Sequence, residues 1–461
     1  MTPISTTHVG SLPRGSALTP LLLARDKGEA YDAAEFDRVV QAAVDEAVRQ
    51  QVAAGVSVVS DGELGKVGYS TYIIERLTGF GGHSPRKPAL DLAPLPEFRQ
   101  KMTALMGEQE FTRASCIGEV RIKDMQPLED DIRRFTLAMQ RNGGGVRGFM
   151  NAASPGLITA FQPNAFYPSH EAYLADLVTA MRPEYEAIVA AGFDLQLDCP
   201  DLAMSRHTGY QDLDEPAFLR RIEQNVEALN AATANIDPKR LRMHICWGNY
   251  EGPHNHDIPL EKIIGTLLKA RPSTLLFEAA NPCHEHEWKV WRDAGVGDDR
   301  ILAPGLIDTC SNYVEHPELI AQRIERFTAI VGNDRVMAST DCGFGTFAGY
   351  GKIDPKVTWM KLRALREGAD IAAARGSALR GLTCCGGGVP ATPAARLALP
   401  HRSAARSGLS SPAAGSAAPR EWQWHRPAGV TSANDAPACA WPKPLRWQPV
   451  ATAAEPRRSP P

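Results

Sequence analysis

Over the first four fifths of the chain, short β-branched or apolar runs alternate with longer stretches of helical periodicity, the pattern of βα units around a parallel sheet. The runs predict strands at 6–10, 56–60, 116–120, 146–151, 195–198, 242–246, 274–278, 301–307 and 336–340. That is one more than a closed eight-stranded barrel needs. The run at 116–120 leads into a polar, acidic stretch instead of a crossover helix, which assigns it to a side hairpin. Helix ends are clearly marked. Residues 317–331 bury Ile320, Ile324, Phe327 and Val331 and stop at Gly332-Asn333, while Asp354-Pro355 opens a last helix expected to close the barrel near Ala374. The Gly- and Pro-rich segment 79–96 reads as a long surface loop. The expected class is α/β, a (β/α)8 TIM barrel over residues 1–375 with a disordered C-terminal tail.

Periodicity stops near Gly376, and charge changes with it. Residues 1–375 hold 40 Lys+Arg against 50 Asp+Glu, whereas 376–461 hold 10 against 3 and carry 13 of the 35 prolines. The tail reads either as a basic, Trp-bearing interaction segment or as an alternative reading frame entered near Gly376. Its Cys384-Cys385 pair is a weak metal candidate. With 43% hydrophobic residues, 22% charged and a net charge of −3, the whole chain has the composition of an ordinary globular protein. This argues against a nucleic-acid partner. No apolar run approaches the roughly 18 residues that span a bilayer, and residues 1–14 lack the regions of a signal peptide, so a cytoplasmic location is expected. There, the nine cysteines are read as thiols or metal ligands.

In a β/α barrel the chemistry sits at the C-terminal ends of the strands. The run Leu241-Arg-Met-His244-Ile-Cys246 puts His244 and Cys246 on one face, because side chains alternate along a strand. Two further strand ends supply Glu278 and, in Asp341-Cys342-Gly343, Cys342. Imidazole, two thiols and a carboxylate make a zinc set, in which a weakly held Glu278 could yield its position to a substrate. The plainer alternative is a buried thiol beside a hydrogen-bonded histidine. His254, His256, Asp257, His284 and His286 form another cluster, read as solvated or outer-shell groups more readily than as a second metal site.

These motifs, together with Thr6-Thr-His-Val-Gly-Ser-Leu-Pro13, Asp61-Gly-Glu63 and Asp198-Cys-Pro200, resemble cobalamin-independent methionine synthase, most closely its short, single-barrel members. The resemblance covers residues 1 to about 375. It implies a β/α barrel with zinc on His244, Cys246, Glu278 and Cys342. It further implies homocysteine held by the turn Val9-Gly10-Ser11, whose backbone meets the amino acid, and by Glu63 and Asp198, which pair with its ammonium group. Other readings stay open for both acids: Asp198 as a rim acid bonded to loop amides, Glu63 as a helix-start residue. The methyl-donor half departs from the family pattern. Where the full-length enzyme has its catalytic His, this chain has Cys310 within Asp308-Thr-Cys-Ser311, so Cys310 and Asp308 are the candidate catalytic pair. Met204 replaces a Glu of the folate pocket, Asp198-Cys199 replaces the usual Asp-Glu, and no Trp lies between Arg121 and Cys246 to face a pterin.

The implied activity is zinc-dependent S-methyl transfer to homocysteine, giving methionine, with methyltetrahydrofolate or a corrinoid, free or on a corrinoid protein, as donor. No nucleic-acid or membrane partner is implied. One rival is a thiol alkyltransferase like epoxyalkane:coenzyme M transferase, which uses a His-x-Cys and a distant Cys for zinc. Its substrate carries a sulfonate and no ammonium, so Glu63 and Asp198 favour an amino-acid thiol. The rival of another class is an inactive zinc-binding barrel.

Overall fold

In the computed structural model, which describes residues 3–384 apart from 85, 108–112 and 352, eight of the apolar runs become the parallel strands of a barrel. They are β1 (Ser5–Thr6), β2 (Val58–Ser60), β3 (Arg147–Ala153), β4 (Asp194–Asp198), β5 (Leu241–Ile245), β6 (Thr274–Phe277), β7 (Ile301–Pro304) and β8 (Met337–Ala338). Parallel ladders join β2 through β7 in chain order, and β8 pairs with β1. Two sparser seams close the ring. Ser57 N–H donates to the Thr6 carbonyl at 3.0 Å, and bridges at Leu302–Val336 and Gly305–Ser339 link β7 to β8.

Each strand is followed by a helix: α1 (Ala33–Ala53), α2 (Gln126–Asn142), α3 (His170–Ala190), α4 (Glu215–Ala232), α5 (Leu260–Leu267), α6 (Trp288–Asp293), α7 (Pro317–Val331) and α8 (Pro355–Cys384). Further helices lie in the loops, among them Thr19–Asp26 before α1 and Pro96–Met106 in the connection after β2. The capping chemistry explains the boundaries. The Asp32 side chain accepts from the Ala34 and Glu35 amides at the start of α1, and Gly332, at φ 82°, ends α7. The buried stripe Phe36, Val40, Val44 and Val48 seats α1 on the sheet. On the same face, Gln51 trades two hydrogen bonds with the backbone of Ser60 and so ties α1 to the end of β2.

Strand alternation sorts the side chains. In β5, Leu241, Met243 and Ile245 face outward into the large apolar layer under the helices, leaving Arg242 and His244 inside. The barrel interior is filled by Val9, Val58, Phe149, Leu276, Ala303 and Met337. The run at 116–120 forms the expected side hairpin, with Ser115–Cys116 antiparallel to Phe80–Gly81. The segment 79–96 therefore opens with a strand instead of being loop throughout. The last helix also runs past Ala374 to Cys384: Ala378, Leu379, Arg380 and Leu382 are good helix formers, so the change of composition at Gly376 does not stop it. The tail beyond Cys384, including Cys385, lies outside the described residues. Among the described residues, no helix is long and apolar enough to cross a membrane.

Candidate active site

At the C-terminal mouth, the ligating atoms of His244, Cys246 and Cys342 lie within 4.8 Å of one another, all three residues buried. Cys246 and Cys342 Sγ are 3.1 Å apart, and Cys342 Sγ is 3.8 Å from both His244 Nε2 and Glu278 Oε1. Glu278 stands at the edge of the cluster. Its oxygens also accept from the Trp247 amide (2.7 Å) and Asn281 Nδ2 (2.6 Å). Asp341, next to Cys342, accepts from the amides of Ala279, Ala280 and Asn281 at 2.8–2.9 Å, which fixes the loop that carries Glu278.

The cluster's electrostatics fit a divalent cation. The hydrogen bond that the Cys342 thiol donates to Cys246, together with burial, pushes Cys342 well up; Cys246 is pulled down by accepting it, yet burial and Glu278 leave it raised. Two sulfurs, one imidazole and a nearby carboxylate are also the donor types zinc prefers.

His244 turns its other nitrogen, Nδ1, toward Asp198 Oδ1 at 3.6 Å. Asp198 in turn accepts from Asn151 Nδ2 (3.0 Å) and Gln196 Nε2 (3.2 Å). The sequence reading treated Asp198 only as a substrate contact or rim acid. The structure adds that its carboxylate stands just beyond hydrogen-bond distance of the histidine ring, on the side where carboxylates commonly accompany metal-ligating imidazoles. Asn151 and Gln196 were missed. Asn151 interrupts the apolar stretch that follows Arg147 in β3, and Gln196 alternates with Asp194 and Asp198 on one face of β4; that period of two was the available signal.

A cavity of about 230 Å³ opens beside the cluster, lined by Ser11, Glu63 and Asp198 and by the rings of Tyr69, Phe161, Phe347 and Tyr350. Glu63 is not at a helix start. It sits in a turn at φ 55°, 2% exposed, with Oε2 buried and without a partner among the described residues. Burial and the charge of Asp198 push its carboxyl up to about 8.

The Val9–Ser11 turn meets the cavity less openly than expected. The Val9 carbonyl accepts from Asn151 and Gln196, its amide donates to Thr340 Oγ1, and the Gly10 amide donates to His8 Nδ1. Only the Ser11 amide remains free among the described residues, and the Val9 and Ser11 side chains line the wall.

Cys310 and Asp308 are not in this cavity. They line a second one, of about 200 Å³, which also meets Cys342 and Glu278. Asn249 forms the partition: its Nδ2 donates to the Gly343 carbonyl and Thr346, and its Oδ1 accepts from Thr309 and Cys310. Met204, by contrast, lies on the wall of the first cavity, where its side chain is apolar. The other histidine cluster is organised by a carboxylate. Asp257 meets His254 Nδ1 at 2.9 Å, His284 Nε2 at 3.0 Å and His207 Nδ1 at 3.2 Å.

No family model matches the chain. It is 24% identical over 382 residues to a methionine synthase of Saccharolobus solfataricus, an alignment covering 80% of this chain and 94% of that protein. A methionine synthase of Thermococcus kodakarensis is 22% identical over 376 residues, with 80% and 93% covered. Among solved structures, a B12-independent methionine synthase from Shewanella sp. W3-18-1, in complex with selenomethionine, superposes with a TM-score of 0.61 at 19% identity, covering 82% of this chain and all of that one.

Proposed function

From its likeness to methionine synthases in sequence and in fold, we propose that this chain is a zinc-dependent S-methyltransferase that converts homocysteine to methionine. The supporting observation is a juxtaposition. Along one cavity wall lie the His244–Cys246–Cys342 cluster and two buried carboxylates, Glu63 and Asp198. His244, Cys246 and Cys342 would hold the zinc, with Glu278 as an exchangeable fourth ligand. When bound, zinc supplies the positive charge that keeps a substrate thiol deprotonated at neutral pH.

The residues of this chain account for the rest. Glu63 and Asp198 pair with the substrate ammonium, which supplies the counter-charge that the raised carboxyl of Glu63 lacks. The free amide of Ser11 meets the carboxylate, and both ends of the amino acid are then fixed so that its sulfur points at the cluster. The sulfur takes the methyl carbon as the bond between that carbon and the donor breaks, and the donor keeps the electron pair. Tyr69, Phe161, Phe347 and Tyr350 form the wall against which the donor lies and exclude water from the transfer.

The apolar Met204 in that wall gives a pterin no carboxylate to bond, which favours a corrinoid-bound methyl group over methyltetrahydrofolate. Cys310, with Asp308 accepting its backbone amide at 2.8 Å, would act from the neighbouring cavity as a residue that shapes access, since Asn249 stands between it and the substrate. We assign the activity to residues 1–375 and to the cytoplasm, where thiols stay reduced. The coenzyme M reading is the weaker one, because a sulfonate would face two buried carboxylates.

The test is zinc content measured with turnover. Purified protein should hold about one zinc per chain and form methionine from homocysteine with methylcobalamin or methyltetrahydrofolate. Cys246→Ser and Cys342→Ser should lose both. Zinc-free protein with full turnover, or turnover only of an epoxide with coenzyme M, would refute the proposal.

A further inference from the structure

Tyrosine hydroxyls away from the surface of this protein are paired, with one exception. Tyr72 donates to Glu184 at 2.7 Å, Tyr173 to the Gln162 carbonyl at 3.1 Å, Tyr185 to the Ala153 carbonyl at 2.6 Å and Tyr250 to Asp91 at 2.7 Å. This is the usual arrangement, because a phenol taken out of water loses a hydrogen bond unless the protein replaces it. Tyr69 is half-buried, yet its hydroxyl has no hydrogen-bond partner among the described residues.

The ring that carries this hydroxyl has a fixed place. It stands edge-on to Phe161 at 5.5 Å and tilted to Phe347 at 5.4 Å, in the wall of the cavity beside the His244–Cys246–Cys342 cluster. The backbone before it is held too, since Gly68 bridges to Phe347 and a Cβ at Gly68 would fall 2.3 Å from the Phe347 ring. The hydroxyl is not among the sealed polar atoms, so it opens into the cavity. Burial and the negative charge of Cys246, Asp198 and Cys342, against the opposing charge of Arg86, push it well above the usual phenol range. It therefore keeps its proton and serves as a donor. It is near enough to the two sulfurs to feel their charge and makes a hydrogen bond to neither. A ligand atom entering the cavity there would meet the O–H on one side and the sulfurs on the other.

We propose that Tyr69 is a substrate-contacting residue whose hydroxyl donates a hydrogen bond to the sulfur of the acceptor thiol at the cluster. This rests on the reading of the site as a homocysteine methyltransferase. Glu63 and Asp198 fix the ammonium end of the amino acid, and the Tyr69 O–H fixes the sulfur end, with the remaining sulfur electrons directed at the aromatic wall where the donor lies. The proton stays on the tyrosine oxygen throughout. A charged sulfur accepts a hydrogen bond more strongly than a thioether, whose sulfur is a weak acceptor. The contact thus favours the deprotonated substrate and slackens once the methyl group has been transferred.

Tyr69→Phe removes one oxygen and no hydrogen bond that the free protein makes, so its melting temperature and metal content should match those of the wild type. With the full chain loaded with cobalt(II) in place of zinc, a thiol that binds at the cluster adds a charge-transfer band, and the growth of that band gives Kd without turnover. Homocysteine should bind the variant roughly tenfold more weakly. Its band should lie at longer wavelength, because a sulfur that has lost a hydrogen bond gives up electron density more readily. Aminopropanethiol, which is homocysteine without its carboxylate, should lose the same factor. Equal affinity and an unshifted band in the variant would overturn this inference and leave the proposed function standing. A loss confined to homocysteine would also overturn it, by moving the hydroxyl to the carboxylate. A wild-type chain that takes up no cobalt, or binds neither thiol when loaded, would fail the proposed function itself and take this inference with it.

Discussion

Gly10 sits at φ 138°, and a Cβ built there would fall 2.2 Å from Asn151 Oδ1. Asn151 also bonds the Val9 carbonyl and Asp198, so Gly10→Ala would push on the residue that holds both the turn and the carboxylate behind His244. A cost of about 3 kcal/mol or more is expected, read as a lower denaturation midpoint together with a raised KM for homocysteine. Glu63→Gln keeps the shape but removes the charge an ammonium would meet. KM for homocysteine should rise by roughly 10- to 100-fold with zinc content unchanged, and an unaltered KM would remove Glu63 from the substrate site. His8 gives a pH signature of its own. Burial holds its imidazole down to about 4 against an ordinary 6.5, with Nδ1 accepting from Gly10 and Nε2 bonded to Gln51 Oε1. The unfolded chain therefore takes up this proton first as pH falls. The contribution, about 3 kcal/mol, is complete above pH 6.5 and fades toward pH 4. Wild type minus His8→Gln, followed by chemical denaturation across that window, should show the fading difference.

Among the elements, the loops at the strand ends are tied to one another more than to the strands. Asp257 gathers His207 from the loop after β4, His254 from the loop after β5 and His284 from the loop after β6. Asp91, from the long connection after β2, accepts from the Tyr250 hydroxyl and the His254 amide. These same segments supply Leu92, Met204, Asn249 and Tyr250 to the cavity wall. Asp257→Ala should cost about 3 kcal/mol and lower turnover while zinc stays bound, because the wall loosens and the metal cluster, carried on strand ends, does not. Zinc loss in that variant would show that the loops hold the cluster as well. The strands themselves were legible because a barrel strand is a compact apolar run between turn signals, and α7 because Pro317 and Gly332 bracket its stripe. The overrun of α8 was not, because the change of composition at Gly376 suggests an end, whereas the isolated Gly376 and Gly381 each cost a helix only about 1 kcal/mol and no proline follows before Pro390.

At the scale of the whole molecule, the ring closes through β8 against β1, joining Thr6 to Ala338 across almost the entire described chain. A chain ended after Cys384 should keep the melting temperature, zinc content and turnover of the full chain; loss of any of these would give the tail a role in the barrel.

By itself the sequence determined the class, the order of strands and helices, and the residues able to ligate a metal, because strand alternation and chain order are local properties. His244 and Cys246 had to share a face, being two apart on one strand. Only the tertiary structure decided which of the polar residues meet. It set Asn249 between Cys310 and the cavity beside the cluster, turned Asp198 toward His244, used up most of the Val9–Gly10 backbone, and left Glu63 Oε2 without a hydrogen-bond partner among the described residues. It likewise left the Tyr69 hydroxyl open to that cavity with no hydrogen-bond partner among the described residues. Each of these depends on where separate strand ends and loops arrive around a closed ring, and that distance is set by barrel closure, which periodicity along the chain does not encode.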